Sequence, residues 1–162
     1  MIKTGIALAA ALAIGTLATE ASAQSGVYVG AAAATQGRSV EDAQWGGTAS
    51  VGYRFNRFLA VEALADFTAQ TETQRGGQAA FANVVAGYPL GPVTPYVLAG
   101  AGYGFNALAA SDNEPQTLWN AGVGVAYNLN ANWQVDARYR RIESMSGDVA
   151  ADRVTLGLNY RF

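Results

Sequence analysis

The sequence predicts an all-β fold, an eight-stranded antiparallel up-and-down β-barrel. Three observations lead to this prediction: β-rich runs in which apolar side chains alternate with polar or small ones, connections that alternate between short and long, and the absence of helical periodicity from Gly26 onward. Neighbouring side chains of a strand point to opposite faces of the sheet, so a two-residue period is what a barrel requires. The 162 residues suffice for one domain.

The first 23 residues have the features of an export signal. Lys3 supplies a positive charge, residues 5–19 an apolar stretch, and Ala-Ser-Ala at residues 21–23 a small-residue cleavage pattern. A membrane-anchoring helix is the alternative, but the stretch is shorter than the ~20 apolar residues such a helix needs, and no basic flank follows it. We therefore predict a cleaved signal peptide over residues 1–23 and a barrel domain over residues 24–162.

The strands are predicted from runs of about ten residues that are bounded by polar residues or by turns containing Gly or Pro. We predict strands over residues 26–35, 46–55, 58–69, 79–90, 95–106, 117–129, 133–143 and 152–162.

The connections between these runs alternate in length. Three are short, at residues 56–57, 91–94 and 130–132. The intervening four are longer and more polar, at residues 36–45, 70–78, 107–116 and 144–151. An even number of strands returns the chain to the side on which it started, so the short turns and both ends of the barrel domain are expected on one side.

The two faces of the predicted strands differ in character. One face is apolar and is predicted to contain no charged residue, with aromatic residues such as Tyr53 and Trp119 near the strand ends. The other face is rich in Gly and contains nearly all the charge within the strands. Its charged residues are Arg54, Glu62, Asp66, Asp136, Arg138, Arg140, Arg153 and Arg161.

A water-soluble barrel such as a lipocalin would show the same alternation, with the apolar face inside. Side-chain size separates the two cases, because the interior of a barrel of about eight strands is only just wide enough for its side chains. The aromatic face would crowd that interior, whereas the Gly-rich, charged face fits it. We therefore predict a transmembrane barrel whose aromatic residues form girdles at the two membrane interfaces.

The end of the chain supports a more specific assignment. Residues 154–162, Val-Thr-Leu-Gly-Leu-Asn-Tyr-Arg-Phe, have apolar side chains at every second position and an aromatic last residue. Together with Gly-Val-Tyr-Val-Gly at 26–30, Ala-Gly-Tyr-Pro-Leu at 86–90 and Pro-Tyr-Val-Leu-Ala-Gly-Ala-Gly at 95–102, this segment resembles the small outer-membrane β-barrel family that includes the OmpA and OmpX transmembrane domains.

The resemblance covers residues 26–162 and implies an integral protein of the bacterial outer membrane with both ends of the mature chain in the periplasm. Its implied partners are outer-membrane lipid and lipopolysaccharide, and the barrel-assembly machinery during insertion. Leu158, Tyr160 and Phe162 match the signal that this machinery reads in such proteins. No peptidoglycan-binding domain follows residue 162, so cell-wall anchoring is not expected.

Glu62 and Arg138 are expected at similar heights about half a barrel apart. In the related barrels, acidic and basic residues at such positions pair across the interior and obstruct passage, which would make this pair a gate. The alternative is a purely structural ion network, which the cost of burying unpaired charge favours. Arg54, Asp136 and Arg140 are expected to be further members of this lumen charge network.

Composition excludes several functions. The net charge of −2 leaves no basic stripe for a nucleic acid. The absence of Cys and His removes disulfides, thiolate metal sites, and the commonest metal ligand and general base. The outer-membrane enzymes of this architecture use a catalytic His, and carboxylate-only chemistry by Glu62 and Asp66 is less natural than a place in the lumen network. We predict no enzymatic activity, cofactor or metal.

The predicted loops contain eight charged residues that either form a surface for an unknown extracellular ligand or keep the loops solvated. Their spacing provides no calcium site. The predicted function is a structural or surface-interaction role for a monomer in the envelope; the alternative is a narrow pore for small ions or solutes, gated by the lumen charges. The eight residues are Arg38, Glu41, Asp42, Glu72, Arg75, Asp112, Glu114 and Asp148.

Overall fold

The computed structural model describes residues 25–37, 44–69, 76–106, 116–147 and 150–162. The predicted signal peptide and the eight charged loop residues lie outside these ranges. Within them, none of the chain forms a helix long and apolar enough to cross a membrane.

Eight antiparallel strands form one closed barrel in chain order. The strands are β1 (Gly26–Gln36), β2 (Gln44–Arg54), β3 (Leu59–Thr68), β4 (Gly77–Gly87), β5 (Val93–Asn106), β6 (Gln116–Asn128), β7 (Trp133–Ser144) and β8 (Ala150–Arg161).

The barrel closes because β1 pairs with β8 as well as with β2, for example through Gly30 opposite Asn159. Every strand is therefore hydrogen-bonded on both sides, which removes the exposed edges of an open sheet. The three short connections, the start of β1 and the end of β8 lie at one end, which we call the turn end. The strand ends that the four longer connections join lie at the other, which we call the loop end.

Asparagine side chains fix two of the three turns. The Asn56 Oδ1 accepts hydrogen bonds from the backbone N–H groups of Phe58 and Leu59 at 2.8 and 3.0 Å. The Asn130 Oδ1 does the same for Asn132 and Trp133 at 2.9 and 2.8 Å. These are Asx turns, in which a side chain replaces a backbone acceptor.

The predicted strand boundaries need small corrections. β4 ends at Gly87 rather than at residue 90, because Pro89 has no N–H to continue the ladder and Gly91 turns the chain with a φ of +66°. At the loop end several strands begin earlier than predicted; β2 starts at Gln44, opposite Gln36. At this end the hydrogen-bond ladder continues into polar residues. Such residues do not show the alternation of apolar side chains from which the strands are predicted.

The outward face is mostly apolar, and its exposed aromatic residues form two bands. Trp45 in the loop-end band and Phe55 in the turn-end band are ten residues apart, which corresponds to about 26 Å along the axis of a tilted strand. This matches the ~25 Å apolar band of outer-membrane barrels. Val27 is an outward residue that is nevertheless buried. The exposed aromatic residues are Trp45, Phe67, Tyr103, Phe105, Trp119 and Tyr139 towards the loop end, and Phe55, Phe58, Tyr88, Tyr127, Trp133 and Phe162 towards the turn end.

Charge does occur on the outward face, at the loop end of β7 and β8. Arg141 forms ion pairs with Glu143 at 2.6 Å and with Asp152 at 3.3 Å. All three alternate with inward residues and lie beyond the aromatic positions of their strands. The uncharged outward face that the sequence predicts therefore ends at Tyr139 on β7 and at Val154 on β8, five and four residues from the loop ends of these strands.

Candidate functional site: the lumen

The charged residues of the lumen form two layers at different heights. The first, which we call the turn-end layer, consists of Tyr28, Glu62, Tyr96, Asp136 and Arg138. Arg138 reaches from β7 across the lumen to β3, where its Nη1 donates to Glu62 Oε1 at 2.6 Å and its Nη2 to Oε2 at 3.2 Å. Its Nε lies 3.4 Å from Asp136 Oδ1. The single guanidinium group of Arg138 is therefore shared between the carboxylates of Glu62 and Asp136.

Two tyrosines complete the turn-end layer. The Tyr28 hydroxyl donates to Glu62 Oε2 at 3.1 Å. The Tyr96 hydroxyl donates to Asp136 Oδ2 at 2.6 Å and accepts from Arg138 Nε at 2.8 Å. Each carboxylate therefore accepts a hydroxyl hydrogen bond in addition to its contact with Arg138, which offsets part of the cost of burying the second negative charge.

Both tyrosine rings lie over a glycine on the next strand. Tyr28 is paired with Gly52, and Tyr96 with Gly124. A Cβ on either glycine would overlap the tyrosine ring, so the space each ring occupies depends on the missing side chain. The two halves of the barrel share one arrangement: a tyrosine, a glycine on the following strand, and a carboxylate on the strand after that.

The second group, which we call the loop-end layer, is centred on Asp66 and contains Thr48, Arg140 and Arg153. The Arg140 Nη2 donates to both Asp66 oxygens at 2.7 and 2.8 Å. The Arg153 Nε lies 3.1 Å from Asp66 Oδ1, to which Thr48 Oγ1 also donates at 2.7 Å. In this layer the single carboxylate of Asp66 forms ion pairs with both Arg140 and Arg153.

Arg153 also connects four strands. Its Nη1 donates to Gln36 Oε1 at 2.8 Å, and its Nη2 donates to the backbone oxygens of Gly47 and Phe67 at 2.8 and 3.1 Å. These partners lie on β1, β2 and β3, whereas Arg153 itself lies on β8. The surplus cation of this layer is thus solvated by backbone and amide oxygens.

An apolar cluster fills the lumen beside the loop-end layer. It consists of Leu64, Ala79, Phe81, Leu118 and Ile142, and the Arg140 guanidinium carbon lies 5.7 Å from the centre of the Phe81 ring. Arg140, Leu118 and Ile142 are each 0 % exposed and Arg153 is 1 % exposed. These four side chains are therefore closed off from solvent.

The structure divides the predicted lumen network. Glu62, Asp136 and Arg138 come together, but Arg140 lies in the other layer with Asp66. Arg54 joins neither: within the described residues its side chain makes no ion pair or hydrogen bond, and it lies half-buried at the turn end.

Sequence reasoning misses Tyr28 and Tyr96 as lumen residues. The one signal that marks them is position, since both, like Phe81, fall on the inward side of the alternation, whereas the other large aromatic residues fall on the outward side. It also leaves Asp66 and Arg153 outside the predicted network, although it places both on the charged face.

The residues predicted to form the assembly signal lie at the end of β8. Leu158 and Tyr160 lie on the outward side, and the Tyr160 ring centre is 5.0 Å from those of both Trp133 and Phe162. The Phe162 N–H donates to the Val27 carbonyl at 3.1 Å. The three outward positions therefore form part of a continuous apolar and aromatic surface.

The described residues contain no cluster of three or more Asp or Glu side chains that could hold a metal ion. Glu62 and Asp66, the two carboxylates considered for catalysis, each contact a guanidinium group.

Comparison with known proteins identifies the class of fold. The sequence profile described as outer membrane protein beta-barrel domain matches residues 6–162. No curated protein sequence matches the chain. Among solved structures, the chain is similar to the N-terminal β-barrel domain of Pseudomonas aeruginosa OprF, with a TM-score of 0.64, 18% identity, and coverage of 86% of this chain and 100% of that one.

Two further structures share the architecture. Neisserial surface protein A matches with a TM-score of 0.62 and 20% identity over 89% of this chain and 100% of that one. Ail, the attachment invasion locus protein of Yersinia pestis, in complex with the heparin analogue sucrose octasulfate, matches with a TM-score of 0.53 and 24% identity over 86% of this chain and 98% of that one. At these identities the likeness is one of fold.

Proposed function

The chain belongs to the outer membrane protein beta-barrel domain family, and on that premise we propose that it has a structural or surface-interaction role in the bacterial envelope. In this proposal the barrel is a rigid, closed support that spans the outer membrane, and its short extracellular loops make any contact with a partner. The protein acts as a monomer without enzymatic activity, cofactor or metal.

The filled lumen is the observation that carries this proposal. Five large side chains, Leu118, Asn120, Arg140, Ile142 and Arg153, are essentially inaccessible to a water-sized sphere. Ion pairs in both layers join strands on opposite sides of the barrel. A barrel filled in this way resists deformation but offers no path to a solute.

The orientation and processing of the chain are part of the same proposal. Cleavage of residues 1–23 leaves a mature barrel over residues 24–162, with the turn end in the periplasm and the loop end outside the cell. The ~26 Å between the aromatic bands supports a membrane-spanning position, with lipid and lipopolysaccharide against the outward face. Fractionation should find the mature protein in the outer membrane, resistant to alkaline carbonate; recovery from the soluble periplasm would contradict this.

The surface-interaction role concerns loops whose charged residues lie outside the described ranges. Ail was solved with a bound heparin analogue, and its name refers to attachment and invasion. Because that likeness is one of fold, we assign no ligand class to the loops of this chain.

A narrow, gated pore is the second candidate, and one observation favours it. Arg138 and Asp136 line two small cavities of about 40 and 10 Å³ at the turn-end layer. The 40 Å³ cavity also contacts Arg54 and Arg57, whereas the 10 Å³ cavity contacts Thr48 and Thr155. Withdrawal of the Arg138 side chain would join these spaces and extend a polar path towards the loop-end layer.

Conductance in a planar bilayer distinguishes the two candidates. We expect the refolded wild-type barrel to be silent, and the Glu62→Gln/Arg138→Gln double variant to remain silent because the loop-end layer and the apolar cluster still close the lumen. Arg141→Gln, which removes an exposed arginine from the outward face, is the matched control. Discrete channel openings in the double variant but not in the control would instead support the gated pore.

We also propose that Leu158, Tyr160 and Phe162 form the signal for the barrel-assembly machinery. Replacing Phe162 with Asp should reduce the amount of inserted, heat-modifiable barrel in cells far more than replacing the inward-facing Thr155 with Val. Equal assembly of the two variants would show that the aromatic end of β8 is not read.

A further inference from the structure

The turn end of the lumen contains a positively charged cavity that the proposed function does not use. This cavity, which we call the vestibule, has a volume of about 230 Å³ and is lined by Arg54, Arg57 and Arg161. Thr94 and Asn128 add polar groups, and none of its lining residues is Asp or Glu. Arg57 is exposed at the rim, so the vestibule opens to solvent.

Charge balance sets the vestibule apart from the rest of the lumen. The two layers together contain three arginines and three carboxylates, Arg138, Arg140 and Arg153 against Glu62, Asp66 and Asp136. The lumen charge is therefore neutral before the vestibule is counted. Arg54, Arg57 and Arg161 are three further cations, and within the described residues none of them forms an ion pair with a carboxylate, that of the Phe162 terminus included.

The hydrogen-bond donors of the vestibule are incompletely used. The Arg161 Nη2 donates to Asn128 Oδ1 at 3.0 Å, but its Nε is buried and has no hydrogen-bond partner. Arg54 and Arg161 line the same cavity, where their like charges repel each other. Asp136 lies in the adjoining 40 Å³ cavity with Arg54 and Arg57, but its ion pair is with Arg138. An anion placed between the arginines would relieve the repulsion and satisfy free donors.

We propose that the vestibule binds a phosphate-class oxyanion, which is either a free phosphate compound or the headgroup phosphate of a neighbouring lipid. Guanidinium groups match the geometry of phosphate oxygens and donate two hydrogen bonds at once. The volume far exceeds the roughly 10–15 Å³ that one water molecule needs.

Titration with inorganic phosphate tests the site directly. The barrel is purified from the membrane into a phosphate-free maltoside detergent, and the Nε–H signals of its arginines are followed by NMR at constant ionic strength. We expect saturable shifts that are weakened about tenfold by Arg54→Gln and by Arg161→Gln, as the loss of one charge-assisted hydrogen bond predicts. Arg57→Gln, at the exposed rim, removes the same charge without disturbing a buried contact.

Arg141→Gln is the matched control, because it removes an arginine of the same charge from the outward face at the opposite end. Affinity that is unchanged in this control and reduced in the three vestibule variants supports the proposal. No saturable shift in the wild-type protein, or an equal loss of affinity in Arg141→Gln, would overturn it. The measurement does not depend on conductance or on loop ligands, so its failure leaves the proposed function standing.

A second arm identifies the source of the phosphate. Phosphatidylglycerol is added to the same micelles, and the lipid retained by each barrel is counted by native mass spectrometry. Retained lipid that displaces inorganic phosphate and is lost in Arg54→Gln identifies a lipid headgroup. Phosphate binding without retained lipid identifies a free anion, and the absence of both contradicts the site.

Discussion

The two charged layers of the lumen stabilise their buried charges in opposite ways. In the turn-end layer, one guanidinium group serves two carboxylates, and tyrosine hydroxyls stabilise the excess negative charge. In the loop-end layer, one carboxylate serves two guanidinium groups, and backbone oxygens stabilise the excess positive charge. The first layer adjoins cavities, whereas the second is packed against apolar side chains.

This difference indicates how each layer responds when one of its charged side chains is removed. The turn-end layer contains spare acceptors, since Arg138 keeps Asp136 and Tyr96 as partners when Glu62 is lost, and water can enter the neighbouring cavities. The loop-end layer has no second carboxylate, and its Asp66, Arg140 and Arg153 side chains line neither of these cavities. We therefore infer that the loop-end layer sets the stability of the barrel, and that the turn-end layer is the part that can rearrange.

The largest expected effect comes from removing the single carboxylate of the loop-end layer. Asp66→Asn leaves Arg140 and Arg153 buried without a counter-charge, and it should destabilise the barrel by about 3–5 kcal/mol. Glu62→Gln should cost less, about 1–3 kcal/mol, because Arg138 retains Asp136. Urea unfolding of barrels refolded into lipid vesicles measures both. Equal losses in the two variants would remove the distinction between the layers.

A double-mutant cycle on Glu62 and Arg138 sharpens the comparison. Each single variant leaves one charge without its main partner, so the double variant should be more stable than the sum of the single losses predicts, by about 1–3 kcal/mol. The same unfolding measurement gives this coupling energy. Simple additivity would mean that the 2.6 Å contact contributes nothing to stability.

A smaller effect is expected from Gly52→Ala, which disturbs the turn-end layer without changing any charge. The new methyl group would overlap the Tyr28 ring and displace its hydroxyl from Glu62, at a cost of about 1–3 kcal/mol. Gly47→Ala, on the same strand, is the control, because a Cβ there meets only the Ala32 oxygen at 3.5 Å. If both variants unfold at the same urea concentration, the glycine does not make room for the ring.

The smallest effect is expected on the outward face. Arg141→Gln breaks ion pairs to Glu143 and Asp152, but these groups are exposed to solvent, and exposed pairs contribute about 0–1 kcal/mol. Its unfolding curve should overlay that of the wild type within about 0.5 kcal/mol. A loss comparable to that of Glu62→Gln would show that depth in the lumen is not what gives the other pairs their importance.

Alternation in the sequence predicts the fold well because the side-chain period of a strand is a local property. It places Glu62, Asp136 and Arg138 on the inward face, and it separates eight strands with errors of a few residues. It does not predict which charges meet, because the relative heights of strands depend on the stagger of the closed barrel.

Arg138 and Arg140 illustrate this limit. They share a face and are two residues apart, about 7 Å along the strand, and this spacing is enough for them to meet different carboxylates. Arg54 is isolated from both layers for the same reason, the height at which its strand places it. It lies between the turn-end layer and the turn end of the barrel, near Arg57 and Arg161. The tyrosines are missed because an inward aromatic residue needs a glycine opposite it, and that pairing depends on register.

Arg153 has a consequence for the kinetics of assembly. Its partners on β1, β2 and β3 are 117, 106 and 86 residues away in the chain, so these bonds exist only after the last strand has met the first. Contacts made this late do not accelerate folding, but all of them must break before the ring can open, which slows unfolding. Arg153 therefore slows the opening of the barrel at the junction of β1 and β8. We expect its loss to shorten the lifetime of the closed barrel by more than its contribution to the free energy of unfolding would indicate.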